Sequence, residues 1–209
     1  MNCQNTKLAK DKLSYKQMKV FKAIIEGSNL SGKDSIGHIL EQQFTECTKV
    51  VIHSYYRPEL AKLFQSRPEK MVEYGQKRLS LLLPLFLHSL DPLIFLRFHI
   101  TDWVYLKLFY QQAYLDYQKI EDQLNQAKVA LVVLTLSDQA IEKRLAERKR
   151  QGKTGPWDKD KTSLVKKRDA YQEVFQKSRI KHKLLLDTSS TTPSEAAEKI
   201  IQWWHSLKL

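Results

Sequence analysis

The chain has 209 residues, 42% hydrophobic and 28% charged, which suits one globular domain with at most a small lid and excludes both wholesale disorder and a second full core. Six glycines, six prolines and two cysteines, Cys3 and Cys47, exclude a collagen-like chain, a disulfide framework and a four-cysteine zinc site. The net charge of +12 sits in residues 1–22, with six lysines against Asp11, and in residues 142–168, with eleven Lys/Arg against four carboxylates. Such an excess suits a polyanionic partner, either nucleic acid or the phosphates of a nucleotide; a solvated tail is the plainer reading of the first segment. Lysines interrupt the N-terminus, and no apolar run reaches the roughly 20 residues of a membrane span. A cytoplasmic protein in a reducing compartment is expected, with no membrane partner.

Residues 1–18 read as a basic, flexible tail, and residues 19–209 as a single domain. VFKAII (20–25) is a short β-branched strand ended by Gly27. A helix follows the turn-rich EGSNLSGKDS, with Ile36, Ile39, Leu40 and Phe44 on one face. VVIHS (50–54) predicts a second strand, helices are expected over 59–66 and 69–90, and Pro84 is expected to kink or split the latter. PLIFL (92–96) is a third strand, and one helix is expected over about 101–125. VALVVLTL (129–136) is apolar on both faces, as a strand inside a parallel sheet must be. Ser137 caps a basic helix to about Arg150, and GKTGPW (152–157) breaks it before another basic helix to about Lys177. KLLLDT (183–188) is the last strand, and Thr192-Pro193-Ser194-Glu195 is a capping box opening a helix with Ala197, Ile200, Ile201 and Trp204 on one face. Of Trp203 and Trp204, adjacent in sequence, only one can face the core. Strands alternating with helices predict a mostly parallel five-stranded sheet covered on both sides, with ligands at the C-terminal strand ends.

Gly27-Ser28-Asn29-Leu30-Ser31-Gly32-Lys33 fits GxxxxGK between a strand and a helix. Glycines let the backbone curl so that N–H groups converge on a phosphate, and the helix aims its positive end there. Lys33 can reach β- and γ-phosphates. The following position usually carries Ser or Thr for Mg²⁺; here it is Asp34, with Ser35 next. Glu26, just before the loop, is read as a charge that fixes the loop through backbone hydrogen bonds.

AIIEGSNLSGKDSI resembles the P-loop of nucleoside and nucleotide kinases, especially the thymidylate kinase-like group, and its SGKD form is similar to that of phage deoxynucleoside monophosphate kinases and phosphomevalonate kinases. The resemblance covers about residues 19–205. RFHITDWVY (97–105) resembles the segment whose arginine binds substrate phosphate, and LTLSDQAIEKRLAERKRQG (134–152) the strand leading into an arginine-rich lid. The resemblance therefore implies a three-layer α/β P-loop fold with a helical lid at about 148–160. It also implies ATP and Mg²⁺ as cofactors, with residues Gly27 to Ser35 around the donor and Asp34 or Ser35 on the metal. Arg97, Phe98, His99 and Tyr105 would then line the acceptor site, and Lys33, Arg97, Arg144, Arg148 and Arg150 would stabilise the transferring group. Tyr55, Tyr56, Phe98 and Trp103 could stack on a base. The family's Asp before the arginine is Leu96 here, and its acceptor-site carboxylate after the second strand has only Glu59 as a candidate. His53, His88 and His99 lack metal-ligand spacing.

The expected function is ATP-dependent phosphoryl transfer to a nucleoside or nucleoside monophosphate. The rival is a nucleotide-binding or nucleic-acid-associated protein of the same fold without turnover, favoured by Leu96 and the charge. Base, sugar and oligomeric state stay open, a homodimer among them.

Overall fold

In the computed structural model, Lys22–Gly27 (β1) is buried along its whole length because two strands flank it on each side. The model describes residues 20–52, 66–110, 117–155 and 160–207. The basic tail, the segment holding His53, Tyr55, Tyr56 and Glu59, the helix expected at 59–66 and the part of the lid at 156–159 lie outside them.

Lys33–Gln43 (α1) follows β1, and Thr48–Val51 (β2) follows α1. Pro68–His88 (α2) leads to Leu93–Leu96 (β3), and His99–Tyr105 (α3) passes into a π turn at Leu106–Tyr110. Tyr117–Gln126 (α4), Ala130–Thr135 (β4), Asp138–Arg150 (α5), Lys161–Lys177 (α6), His182–Asp187 (β5) and Pro193–Ser206 (α7) complete the order. The sheet runs β2-β3-β1-β4-β5, and all four pairings are parallel.

Side chains alternate across this sheet, so each strand feeds two apolar layers. Ala23, Ile25, Ile94, Leu96, Val132 and Leu134 pack under α1 and α7, where Ile36, Leu40, Ala197, Ile200 and Trp204 meet them. Ile24, Leu93, Phe95, Leu131 and Val133 face α2, α3, α4 and α6. This is the expected three-layer fold.

Local signals hold where chemistry fixes them. Ser137 Oγ accepts from Ala140 N at 3.2 Å, and the Thr192–Glu195 capping box closes in both directions. Trp204 is buried edge-on to Phe21, and Trp203 is half-buried. Three expectations shift. β2 begins at Thr48, because Thr48 N already bonds Pro92 O at 3.0 Å. Pro84 does not split α2, because it lies on the exposed side of that helix. Within the helix expected over 101–125, the pitch widens into the π turn at 106–110 and Tyr117–Gln126 is again α-helical, while the stretch at 111–116 lies outside the described residues.

Candidate active site

The loop between β1 and α1 is built by its glycines. Gly27 has φ 144°, and a Cβ there would lie 2.7 Å from Leu134 O and 2.8 Å from Ser31 Oγ. Leu30 (φ 70°) and Gly32 (φ 86°) are also left-handed, so the chain curls back on itself. Among the described residues no side chain caps α1 at Gly32, which leaves the first-turn N–H groups facing the loop's concavity. A loop that packs closely on β4 at Gly27 and curls through left-handed residues above an uncapped helix start fits a phosphate group.

Lys33 is only 4% exposed, and its Nζ lies 3.2 Å from Ser28 O. Burial first, and the Arg97 charge next, push its pKa down to about 8 against the opposing pull of Asp34 and Glu26; Arg148 adds to the lowering. The lid arginine is therefore within electrostatic reach of the loop lysine.

Arg97 stands at the end of β3 in a left-handed conformation, φ 68°. Its Nη2 lies 3.3 Å from both carboxylate oxygens of Asp34. Residues 63 positions apart thus meet at the loop's mouth, with Asp34 exposed and Arg97 mostly covered. Ser35 is exposed beside Asp34. Asp34 and Ser35 supply oxygen donors of the kind Mg²⁺ takes, and Mg²⁺ commonly rests on one or two protein oxygens. No cluster of three or more His, Cys, Asp or Glu suited to a metal occurs among the described residues.

The remaining expected residues divide. Arg144 is a brace: it donates to Leu30 O at 2.9 Å and to Thr188 O, tying the loop to the end of β5. Thr188 Oγ1 reinforces that seam on Ser31 O at 3.0 Å. The Arg144 guanidinium, expected on the transferring phosphate, is engaged here by these two backbone carbonyls. Arg150 is exposed at the end of α5. Phe98, expected on the acceptor, is fully buried, with its ring centre 5.5 Å from Phe95 and 5.6 Å from Phe86. His99 is also buried, with Nε2 3.1 Å from Glu121 Oε1, and Tyr105 packs on Phe109. These three serve the core because α3 is buried on nearly every side. Glu121 also accepts from Ser178 Oγ and Arg179 N; burial acts to raise its pKa, but these bonds and His99 hold it below the ordinary value.

Two features escape a local reading of the sequence. Arg78 of α2, itself partly exposed, forms an ion pair with the buried Asp102 of α3, beside Tyr117 and the Trp103 ring stacked on it at 5.1 Å. The Tyr117 hydroxyl is buried without a hydrogen-bond partner among the described residues. A lone carboxylate inside the apolar run at 98–105 was the available signal. Glu26 is the second feature. Its carboxylate bonds the turn at 98–101 and not the phosphate loop, correcting the expectation for this residue.

No family model matches the sequence, and none of the curated proteins does. Solved structures do. The YorR protein of Bacillus subtilis, solved with phosphorylated GDP, is 22% identical with a TM-score of 0.63, covering 88% of this chain and 95% of that one. Deoxyadenosine kinase from M. mycoides with bound dATP is 16% identical with a TM-score of 0.59, covering 89% and 100%. Thymidylate kinase from Candida albicans is 14% identical with a TM-score of 0.58, covering 90% and 92%. The chain has the thymidylate kinase-like P-loop fold. In that fold the glycine loop, Arg97 and the α5–α6 hairpin all sit at the C-terminal edge of the sheet, where β1, β3 and β4 end. Among the described residues no helix is long and apolar enough to cross a membrane.

Proposed function

We propose that the protein transfers a phosphoryl group from ATP to a nucleoside or nucleoside monophosphate. The observation that carries this is the meeting of Lys33, Asp34 and Arg97 at an uncapped, glycine-built helix start, within electrostatic reach of Arg148. The proteins of like fold, YorR solved with phosphorylated GDP and a deoxyadenosine kinase solved with dATP, support the class of substrate.

In this reading the N–H groups of residues 27–33 bind the donor phosphates, and Lys33 neutralises charge on the transferred group. Asp34 and Ser35 would hold Mg²⁺, which supplies charge neutralisation across the phosphates when bound. Arg97 turns from Asp34 to the acceptor. Arg148, not Arg144, covers the developing charge from the lid. Arg78, Asp102 and the Tyr117 hydroxyl offer donors and an acceptor to a base edge, with Trp103 behind them. Phosphoryl transfer asks little covalent chemistry of the protein, so positioning and charge carry the rate.

One observation favours a second reading, nucleotide binding without turnover. Leu96 stands where a carboxylate is expected and is locked into the apolar layer against Gly37. Mg²⁺-dependent turnover over a panel of nucleosides and nucleotides separates the two, with ATP affinity measured alongside for wild type, Lys33→Ala, Asp34→Ala and Ser35→Ala. Transfer to at least one acceptor is expected. Lys33→Ala should lose ATP binding tenfold or more, since a desolvated charge contact is worth about 2–5 kcal/mol. Asp34→Ala should lose more activity than Ser35→Ala. ATP binding without transfer to any acceptor selects the second reading, and unchanged affinity in folded Lys33→Ala ends both.

A further inference from the structure

Glu26 is a fully buried carboxylate at the end of the central strand, next to the phosphate loop. A buried charge is tolerated only where hydrogen bonds replace its water. Here Oε1 accepts from Phe98 N at 2.7 Å and from Thr101 N at 3.2 Å, and Oε2 accepts from the Thr101 hydroxyl. Thr101 Oγ1 in turn lies 2.8 Å from the Tyr171 hydroxyl of α6. All of these contacts fall on the turn that begins at Arg97.

That turn needs holding. Arg97 has φ 68°, a conformation that a non-glycine residue adopts only when its surroundings hold it there. Arg97 N bonds Ile25 O at 3.0 Å, the last tie to β1 before the strand pairing ends. The next anchors along the chain are the two N–H groups on Glu26. The left-handed step at Arg97 is therefore pinned on both sides by β1: by a main-chain carbonyl before it and by the Glu26 carboxylate after it.

We infer that Glu26 is a positioning residue that fixes the Arg97 turn toward the phosphate loop, with Thr101 and Tyr171 extending the clamp to α6. The inference rests on the kinase reading, in which Arg97 grips the acceptor. Its rival is a Glu26 that takes a proton from the acceptor hydroxyl. The two roles part at Glu26→Gln. A glutamine keeps an oxygen for Phe98 N and Thr101 N, and its amide can donate to Thr101 Oγ1, whose proton then turns to Tyr171. It cannot take a proton.

The test compares wild type, Glu26→Gln, Glu26→Ala, Thr101→Val and Tyr171→Phe by steady-state kinetics, acceptor and ATP binding, and amide exchange at Phe98 and Thr101. Glu26→Gln should keep kcat and acceptor KM at pH 7 within about threefold and keep any acid limb of the kcat profile, while the alkaline limb set by Lys33 moves to lower pH as the Glu26 charge is lost. Glu26→Ala should weaken acceptor binding by roughly tenfold to a hundredfold, as a small misplacement of a binding group can. At pH 7 it should leave ATP affinity within a few fold and release the Phe98 and Thr101 amides to exchange. Thr101→Val and Tyr171→Phe should fall between, and they carry the test if Glu26→Ala does not fold. A collapse of kcat in Glu26→Gln with acceptor KM and amide protection intact overturns the inference. So does wild-type acceptor affinity in folded Glu26→Ala, Thr101→Val and Tyr171→Phe together. In both cases wild-type activity shows that the kinase reading stands. A wild-type protein that binds neither ATP nor any acceptor overturns the kinase reading and this inference with it.

Discussion

Lys33 occupies a place that a charged lysine fills at a cost. Its ammonium is held under the loop with Ser28 O as its hydrogen-bond acceptor, and burial with Arg97 lowers its pKa from 10.5 to about 8. Between those two values the unfolded chain binds a proton that the folded chain has released. Stability contributed by this group therefore rises with pH across that window, and below about 8 the full penalty applies, on the order of 3 kcal/mol. Lys33→Met should thus be more stable than wild type near pH 7 in urea unfolding, and the difference should shrink as pH rises from 8 toward 10.5. A less stable Lys33→Met at pH 7 would show that the ammonium is well satisfied without phosphate. ATP binding has the opposite demand: phosphate wants the lysine charged, so wild-type affinity should fall about tenfold per pH unit above 8. The loop residues could be read from sequence because glycine spacing, helix start and lysine are local to one another. The Arg97–Asp34 and Arg78–Asp102 pairs could not, since they join residues 63 and 24 positions apart.

At the scale of elements, β3 and α1 are fitted to each other at one point. Leu96, the last residue of β3, drives its side chain into the space left by Gly37: a Cβ on Gly37 would lie 2.6 and 2.9 Å from the Leu96 methyls and 3.2 Å from Cγ. Leu96 is 1% exposed within a packed layer, so it cannot swing aside freely. Gly37→Ala in mid-helix gains about 1 kcal/mol in propensity, but overpacking costs about 1–3 kcal/mol. A net loss near 1 kcal/mol is expected, and Leu96→Ala alone should lose about 2–5 kcal/mol. Joined, the two changes should cost less than their sum by at least about 0.5 kcal/mol, because the new methyl enters the space that leucine vacates. Strict additivity in urea unfolding would mean the contact does not couple them. Strand positions and caps were legible because apolar runs, Ser137 and the Thr192–Glu195 box are short-range signals. The π turn at 106–110 was not, because a helix that changes its pitch keeps the composition of one that does not.

Across the whole molecule, the α5–α6 hairpin is fastened at its base and exposed over residues 149–154 beyond it. Leu30 of the phosphate loop packs with Leu136, Ala140, Ile141, Leu145 and Leu164, so the hairpin's root and the loop share a core. Arg144 bridges Leu30 O to Thr188 O, and Arg168 of α6 donates to Leu136 O at 2.8 Å, close to the start of α5. Beyond Glu147 the packing stops: Arg150 and residues 151–154 are exposed, and Gly152 is left-handed at φ 63°. Much of the chain's positive charge stands in this hairpin, an arrangement that attracts phosphate and repels itself until phosphate arrives. On the proposed function, closure is expected to involve residues 148–155, with the root held in place. Amide exchange should show residues 138–147 protected with or without ligand. Residues 148–155 should gain protection only with Mg²⁺ and a bisubstrate analogue present. Arg148→Ala should lose that ligand-dependent protection and lower kcat by roughly a hundredfold to a thousandfold, the range for removing one transition-state charge contact. Arg150→Ala should change either by no more than a few fold. Equal protection of 148–155 in both states would make the tip a fixed surface turn, and unchanged kcat in Arg148→Ala would remove the lid from the chemistry.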